Sequence, residues 1–403
     1  LFEANGVWKG QLRPQGNGEP RKPITVGSYG KGSRPVINMG ETEGTGIYLY
    51  NQSWWEIKGM EVTSGAPFKL GTLRRGIVAD VGGSDGQRIE HIVIQDCSVH
   101  DIWGQVGGNK SGIAIYVGQP VLGLQKYKNC TADDVLIENN VIERLDKVAI
   151  AVNGNTGVIV RGNRMRDIGG DGIVIINAVK GLVERNIADR TCLRSGDPDL
   201  DTGTEKWWPH TAAIWLWRCT ETIMQFNEVY DTGRQPLNND GQAYDFDFDC
   251  KRCVLQYNYS MNNHGLLLVM PRTNDNIARY NISQNDQRHL ILAHGKIEDG
   301  NLIHNNVFYV DRSTVNVDYH ADREKAKMDP KESAKLGATF KNNIFYATGQ
   351  GRFQRGGSVF LRNCYYGPWK NGLPDDPEKV VMDPMFVTAG AGGIGMATLA
   401  GYK

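Results

Sequence analysis

The amino-acid sequence predicts an all-β solenoid, a single-stranded parallel β-helix with loop insertions. Three observations lead to this prediction: a repeat of about 23 residues, apolar runs of about four or five residues at that spacing, and an excess of glycine, 49 of 403 residues. Glycine suits the tight turns between short strands. Helical periodicity is missing between the runs, which argues against a sheet that alternates with helices.

The repeat is marked by an asparagine that follows a short β-branched run and precedes a turn. Stacking coils about 4.8 Å apart gives each strand a neighbour and builds one continuous core. Equivalent asparagines then lie above one another, where their amides can hydrogen-bond along the stack and to the turn backbone. We therefore expect a buried asparagine ladder at one corner. Its predicted members are Asn140, Asn163, Asn186, Asn227, Asn258, Asn281, Asn306 and Asn343.

Composition and charge exclude several classes of protein. Lys+Arg and Asp+Glu each number 45, so the formal net charge is zero and nucleic-acid binding is not expected. The longest apolar runs, such as residues 266–270, are far shorter than the ~20 residues of a membrane-spanning helix. The chain begins at Leu1 without a signal peptide, so we expect a mature form of a secreted, periplasmic or cell-surface protein.

The cysteine pattern does not predict a metal site. Cys250 and Cys253 form a lone C-x-x-C pair without a second pair at zinc-binding spacing. Cys219 and Cys250 each lie eight residues before an anchor asparagine, so stacked coils would bring them within disulfide distance. Free thiols and a disulfide are both compatible with this placement, and we favour free thiols.

The repeated anchors resemble those of a known superfamily over residues 47–365. The opening segments 6–14, 23–30 and 35–37 and the closing Asp383-Pro-Met-Phe386 add to the likeness. The chain resembles the right-handed parallel β-helices of pectate-lyase-like carbohydrate-active enzymes. The resemblance implies a right-handed coil, with residues 1–46 as an N-terminal cap and residues 47–403 as the β-helix, one domain overall. It does not select one activity, because such helices host lyases, hydrolases, epimerases and adhesins.

An acidic strand is the strongest functional feature of the sequence. Between residues 239 and 250, aromatic and acidic side chains alternate, which places them on opposite faces of a strand. Because burying three aspartates would be costly, the aromatic face should point inward. The predicted inner residues are Tyr244, Phe246 and Phe248, and the predicted outer residues are Asp245, Asp247 and Asp249.

Paired aspartates suit the hydrolysis of a glycosidic bond. The Cα atoms of Asp245 and Asp247 should lie roughly 6–7 Å apart, close enough for mutual repulsion to raise one pKa. A protonated acid and an ionised partner are the two groups that a glycosidase needs, although this spacing fits both retaining and inverting enzymes. Asp240, in an Asp-Gly turn, is the third catalytic candidate. A Ca²⁺ site and a solvated polar strand face are the competing interpretations.

Insertions that interrupt the repeat are predicted to form the wall of this site. The strands that follow Asn186 and Asn227 are delayed, so both insertions leave the same corner in adjacent coils. The larger insertion ends in Trp207, Trp208 and His210, and an aromatic face packs well on the C–H face of a sugar. We expect these three side chains to bind substrate.

Side chains from neighbouring coils complete the predicted binding site. The binding candidates there are Asp249, His264, Arg272 and His294. We therefore expect an exported glycoside hydrolase that acts as a monomer on a polysaccharide or oligosaccharide and needs no metal or cofactor. Alternatively, a Lys, Arg or His base with Ca²⁺ would make a polysaccharide lyase that cleaves uronic-acid glycans by β-elimination. A non-catalytic glycan-binding solenoid is the third hypothesis.

Overall fold

The computed structural model describes residues 1–66, 72–104, 112–119, 127–194, 211–233, 240–295, 300–312, 315–321, 337–354 and 357–403. In these ranges nearly all regular structure is β-strand, and a 3₁₀ helix spans Met396–Tyr402. The predicted all-β class is confirmed. No helix in the described part of the chain is long and apolar enough to cross a membrane.

The described residues divide into two compact units. The first comprises Leu1–Ile214, and the second comprises Trp215–Gly233 with Asp240–Lys403. The predicted cap over residues 1–46 and single domain over residues 47–403 stay predictions. Strands of the first 46 residues, such as Ile24–Val26 and Val36–Asn38, already pair in parallel with strands of the later coils.

The first unit is built from short strands. In chain order they are β1 Phe2–Glu3, β2 Val7–Lys9, β3 Ile24–Val26, β4 Ser28–Tyr29, β5 Val36–Asn38, β6 Gly44–Tyr50, β7 Trp55–Lys58, β8 Glu61–Thr63, β9 Arg74–Asp80, β10 Arg88–Gln95, β11 Ser98–Ile102, β12 Ile113–Gly118, β13 Thr131–Glu138, β14 Val141–Leu145, β15 Val148–Asn153, β16 Val158–Arg161, β17 Arg164–Ile168, β18 Ile173–Ile176, β19 Leu182–Glu184 and β20 Ile187–Asp189.

These strands form three parallel sheets, and each coil contributes one strand to each sheet. The first sheet has the order β3-β7-β10-β13-β16-β19, the second β2-β5-β8-β11-β14-β17-β20, and the third β6-β9-β12-β15-β18. The strands β1 and β4 pair separately. Successive strands such as β10, β11 and β12 make one turn of a parallel β-helix.

The second unit repeats this arrangement. Its strands are β21 Ile214–Trp217, which begins one residue before the unit, β22 Ile223–Gln225, β23 Glu228–Tyr230, β24 Gln242–Phe246, β25 Val254–Gln256, β26 Tyr259–Met261, β27 Gly265–Val269, β28 Ile277–Arg279, β29 Ile282–Gln284, β30 His289–Ala293, β31 Leu302–His304, β32 Val307–Val310, β33 Asn316–His320, β34 Thr339–Lys341, β35 Ile344–Ala347, β36 Gly351–Arg352, β37 Val359–Leu361, β38 Cys364–Tyr366, β39 Trp369–Lys370 and β40 Val380–Val381.

The second unit likewise has three sheets. Their strand orders are β22-β25-β28-β31-β34-β37, then β23-β26-β29-β32-β35-β38-β40, and finally β21-β24-β27-β30-β33-β36-β39. The third of these sheets contains the acidic strand, which is β24.

Like residues stack on like residues in the interior. In the third sheet of the first unit, one register position is isoleucine in five successive coils, all fully buried. Burial of each such side chain contributes about 1.5–3 kcal/mol. The stacked residues are Ile47, Ile77, Ile115, Ile150 and Ile173.

The predicted asparagine ladder is confirmed in both units. In the first unit, Asn140 Nδ2 donates to Asn163 Oδ1 at 2.9 Å, and Asn163 Nδ2 donates to Asn186 Oδ1 at 3.0 Å. In the second unit the same bond, 2.9–3.0 Å long, joins each anchor to the next. This ladder comprises Asn227, Asn258, Asn281, Asn306, Asn343 and an additional member, Asn363.

A carboxylate ends the ladder of the second unit. Asp376 is fully buried and accepts hydrogen bonds from the backbone and side-chain nitrogens of Asn363 at 3.0 and 2.9 Å. The backbone N–H of Arg362 and the hydroxyl of Tyr365 also donate to it, at 2.8 and 3.1 Å. With the backbone N–H of Glu378 at 3.3 Å, five donors satisfy the carboxylate. Against the opposing effect of burial, the hydrogen bonds from Asn363, Arg362 and Tyr365 lower the pKa of Asp376.

All seven cysteines are free thiols, which confirms the preference for thiols over a disulfide. Cys219, Cys250 and Cys253 are fully buried, and burial raises the pKa of Cys250. These thiols behave as small apolar side chains of the interior.

Candidate active site

The acidic strand β24 points its aromatic side chains inward, as the sequence predicts for its first half. Tyr244 is fully buried, and its hydroxyl lies 3.0 Å from the carbonyl oxygens of both Asn227 and Tyr259, which share its one proton. Phe246 is 2% exposed. Asp245 lies between these two residues, so its side chain occupies the opposite, outer face of the sheet.

The outer face around Asp245 is buried rather than open to solvent. Asp245 is 5% exposed and is in register with Leu268 of the next coil. The same register position continues through Leu292 to Tyr319, and these three residues pack together in an apolar cluster. A carboxyl group therefore lies next to an apolar strip on the outer face of the third sheet.

The predicted alternation ends at Phe246, so the inward placement of Phe248 is wrong. The backbone N–H of Asp247 still donates to the carbonyl of Leu216 at 2.8 Å, but β24 has ended and Asp249 adopts a φ of 63°. Phe248 is half-buried in this turn, with the guanidinium of Arg272 5.1 Å from its ring centroid. The turn, rather than the strand, sets the direction of the last acidic side chains.

Asp249 and Arg272, two predicted binding residues, contact each other. Arg272 Nε and Nη2 donate to the two carboxylate oxygens of Asp249 at 2.7 and 2.8 Å. The guanidinium lowers the pKa of Asp249. Both groups remain available at the surface, because the side chains are 57% and 32% exposed for Arg272 and Asp249 respectively.

Two tryptophans lie on the strand next to β24. In β21 the fully buried Leu216 points inward, whereas Trp215 and Trp217 are half-buried and occupy the outer face. Their ring centroids are 6.4 Å apart, and the guanidinium of Arg218 is 5.0 Å from the Trp217 centroid. Sequence reasoning places Trp215 and Arg218 beside the acidic strand but does not single out Trp217, although the Ile-Trp-Leu-Trp alternation of β21 carries the signal.

Asp240 and His264 both precede strands and lie at the edge of the sheet where the strands begin. Asp240 is 7% exposed and His264 is 5% exposed. The hydroxyl of Thr232 joins the two segments, because it donates to the carbonyl of Gly241 at 2.7 Å and accepts the backbone N–H of His264 at 3.0 Å. Asp247, Arg272 and His294 instead follow β24, β27 and β30, at the opposite edge.

His289 is a further polar residue on the outer face that the site prediction did not include. It is 3% exposed, and its ring stacks on Tyr319 with centroids 3.9 Å apart. Burial, aided by Arg288 and other positive charges nearby, lowers the pKa of His289 to about 2, so the imidazole is neutral. Asn316 Nδ2 lies 3.1 Å from Nδ1 and donates to it, which leaves the proton on Nε2. No sequence signal distinguishes this histidine from its neighbours.

The predictions of an aromatic wall and of a site that needs no metal remain untested. Trp207, Trp208 and His210 lie outside the described residues. Within the described ranges, no three His, Cys, Asp or Glu side chains come together as a metal site. The predictions that the protein needs no cofactor, or Ca²⁺ as the alternative, stay predictions.

Comparison with known proteins defines the class. The family described as "Right handed beta helix region" matches residues 45–196. Together with the parallel sheets described above, this match shows a right-handed parallel β-helix. The expected fold, a right-handed parallel β-helix, is confirmed.

Two proteins to which the chain is similar are lacto-N-biosidases. The chain is 28% identical to the lacto-N-biosidase of Bifidobacterium longum subsp. longum over 320 residues, which are 76% of this chain and 18% of that protein. The crystal structure of the GH136 lacto-N-biosidase from Eubacterium ramulus aligns with a TM-score of 0.65 and 22% identity, over 79% of this chain and 59% of that one. The chain thus spans about a fifth of the curated relative, and the structural likeness shows the fold.

Proposed function

We propose that this protein is a glycoside hydrolase that cleaves a glycosidic bond in an oligosaccharide or polysaccharide with two carboxyl groups. The observation that carries the proposal is the placement of Asp245 and Asp247 on the outer face and at the end of β24, beside the tryptophans of β21. Similarity to a lacto-N-biosidase supports it.

The environments of the two carboxyl groups suggest separate roles. Asp245 is 5% exposed and is the more enclosed of the two carboxyl groups, so we assign it as the proton donor to the leaving oxygen. Asp247 is half-buried, and its Oδ1 accepts the backbone N–H of Phe248 at 2.7 Å. Asp247 is therefore the base or nucleophile. Asp240, at the other edge, is the third acid that the proposal includes.

The tryptophans of β21 offer apolar surface for a sugar. Trp215 and Trp217 are half-buried side by side on the outer face. A pyranose ring presents C–H groups on its faces and hydroxyls at its rim, so an aromatic surface next to carboxyl groups matches both parts of the ring. In this proposal the pair holds a sugar unit of the substrate against the outer face of β21.

The test is turnover of a panel of oligosaccharides and 4-nitrophenyl glycosides by single-residue variants. We expect Asp245→Asn and Asp247→Asn each to lower kcat by about 10³-fold or more, because proton transfer and charge stabilisation are lost. Asp240→Asn reports whether the third acid contributes. Asp231→Asn is the matched control, since Asp231 is exposed and its φ of 50° suits asparagine equally well.

The products separate the competing functions. A glycosidase releases saturated sugars, whereas β-elimination produces an unsaturated uronate that absorbs near 235 nm. That absorbance, appearing with uronic-acid substrates, would replace the proposal with the lyase. Unchanged turnover in both Asp245→Asn and Asp247→Asn would show that the catalytic acids lie elsewhere.

A further inference from the structure

The first sheet of the second unit carries basic but no acidic side chains on its outer face. In each of its three-residue strands the middle residue is 0–3% exposed, so the first and third residues lie on the outer face. The first residues are Ile223, Val254, Ile277, Leu302, Thr339 and Val359, and the third residues are Gln225, Gln256, Arg279, His304, Lys341 and Leu361. The face thus combines a mainly apolar row with a row that includes three bases.

The three bases occupy one register position in successive coils. Arg279 is in register with His304, and His304 is in register with Lys341. Arg279 Nε donates to Gln256 Oε1 at 2.9 Å, which fixes the position of the guanidinium. Neither Arg279 nor Lys341 forms an ion pair with any residue in the described ranges, so this positive charge is available to an external anion.

The equivalent face of the first unit differs, because its bases lie beside acids. Lys58 Nζ is 2.7 Å from Glu56 Oε2. Arg161 pairs with Glu138, which is in register with it on the neighbouring strand. The first unit neutralises these charges within the face, whereas the second unit leaves its own basic row open.

A stack of aromatic rings flanks the basic row at the asparagine corner. Phe226, Tyr257 and Tyr280 each precede a ladder asparagine. Their ring centroids are 5.3 and 5.1 Å apart, and the planes are within 10° of parallel. Tyr257 and Tyr280 are 42% and 43% exposed, and the guanidinium of Arg279 is 5.8 Å from the Tyr280 centroid. Because the ring faces cover one another, solvent meets the positive ring edges and the phenolic hydroxyls, and both attract anions.

Aromatic residues at this corner act against the preference of the backbone. The φ angles of Phe226, Tyr257 and Tyr280 are 54°, 55° and 55°, a left-handed geometry that bulky side chains rarely adopt. In the other ladder coils the same position holds Asn139, Gly162, Arg185, Asn305, Asn342 and Arg362. A residue type that the backbone disfavours, in three successive coils, indicates a role at the surface.

We propose that this cationic surface, made of Tyr257, Arg279, Tyr280, His304 and Lys341, binds a linear anionic glycan that runs along the stack of coils. Its carboxylate or sulfate groups lie against the basic row, and the tyrosine hydroxyls donate to its oxygens. The absence of acidic side chains from the described residues of this outer face makes the surface complementary to an anion.

The spacing of the coils favours a glycan over an acidic peptide. Successive coils are about 4.8 Å apart, close to the length of one pyranose unit, whereas an extended peptide presents side chains on one face only every 6–7 Å or so. The choice of a carbohydrate also rests on the proposed function. The surface itself lies on the first sheet and is separate from the acidic strand of the third sheet.

The first experiment measures binding by biolayer interferometry to two matched pairs of immobilised polysaccharides. The pairs are polygalacturonate with its methyl ester, and dextran sulfate with dextran. We expect the wild type and Asp247→Asn to bind at least one anionic member at least tenfold more tightly than its neutral counterpart, and added salt to weaken that binding. The pair that responds distinguishes carboxylate from sulfate as the recognised group.

Charge variants locate the binding surface. The double variant Arg279→Gln, Lys341→Gln should bind the anionic probe at least tenfold more weakly. The double variant Arg252→Gln, Arg362→Gln is the control, because it removes the same net charge from exposed arginines that already pair with Glu221 and Glu378. Equal losses in the two double variants would overturn the proposal, since they would show attraction to overall charge alone.

Tyrosine variants separate a binding role from a purely structural one. The double variant Tyr257→Asn, Tyr280→Asn should bind at least fivefold more weakly, with a melting temperature equal to or above that of the wild type, because asparagine suits a φ of 55°. A lower melting temperature with unchanged binding would show that the ring stack only stabilises the corner. Failure of both anionic polysaccharides to bind, or equally tight binding of poly-glutamate, would also overturn the proposal.

The two proposals fail separately. Glycan binding that depends on Arg279 and Lys341, in a protein that hydrolyses nothing, would keep this surface and remove the glycosidase. Hydrolysis that depends on Asp245 and Asp247, with unchanged glycan binding in the Arg279→Gln, Lys341→Gln variant, would do the reverse.

Discussion

Two regions of the second unit, the asparagine corner and the acidic strand, follow opposite rules. At the corner, the same residue recurs in every coil and makes the same 2.9–3.0 Å bonds to the next coil. At β24, the acidic side chains occur in a single coil, and their directions depend on a turn and on individual partners such as Arg272. Repetition stabilises the fold, whereas departure from the repeat positions the candidate chemistry.

Removal of one ladder amide should have the largest effect on stability. Asn258 Nδ2 donates to the Met224 carbonyl and to Asn281 Oδ1, both at 3.0 Å, while its Oδ1 accepts the backbone and side-chain nitrogens of Asn227. Asn258→Leu leaves several of these buried groups unpaired at about 1–3 kcal/mol each, so we expect a loss of about 4 kcal/mol in the free energy of unfolding. Urea denaturation measures it.

A matched substitution sharpens this test. Asn274→Leu replaces a half-buried asparagine outside the ladder whose backbone has no positive φ, and should cost less than half as much. Equal losses in the two variants would contradict the special role of the ladder.

The second prediction concerns Asp286, a carboxyl group that is fully buried near the corner. The hydroxyls of Ser260 and Ser283 donate to its Oδ2 at 2.6 Å, and the backbone N–H of Asn263 donates to Oδ1 at 2.9 Å. Burial nevertheless raises its pKa to about 6. Between pH 4 and 6 the native state therefore holds more protons than the unfolded state, and its stability falls as pH rises.

Two pKa units correspond to about 3 kcal/mol, and Asp286→Asn should remove this contribution to the pH dependence. The measurement is the free energy of unfolding at pH 4 and pH 6.5, compared between the wild type, Asp286→Asn and Asp231→Asn. Only the difference between proteins is diagnostic, because carboxyl groups with lowered pKa values, such as Asp376, change stability in the opposite direction. An unchanged difference in Asp286→Asn would refute the prediction.

The smallest expected loss of stability comes from removing the ion pair in the turn that follows β24. Arg272 and Asp249 form an exposed pair, and such pairs contribute only about 0.2–1 kcal/mol. We expect Arg272→Ala to lower the free energy of unfolding only slightly, and high salt to reduce the difference. Arg252→Ala, which removes a similar exposed pair with Glu221, is the comparison. A loss several times larger than in Arg252→Ala would make the Arg272 pair part of the structural framework.

The sequence predicts the repeated parts of this molecule better than its single-copy parts, for a physical reason. The corner needs the same buried hydrogen bonds in each coil. Asparagine therefore recurs there, as Asn140 and Asn258 show. Phe248 illustrates the opposite case, because alternation alone extends the strand through it. The strand ends earlier since Asp249 adopts left-handed backbone geometry and pairs with Arg272, 23 residues away. Neither feature leaves a periodic trace in the sequence.

The carboxylate at the end of the amide ladder has a consequence for assembly. Stacked β-strands can recruit further strands from other molecules, which is how fibres grow. Each ladder asparagine passes an N–H onward to the next oxygen, whereas Asp376 only receives and has nothing to pass on. Another copy of the chain that arrived at this corner would find the hydrogen-bond series already terminated. A single acidic residue thus ends the amide ladder.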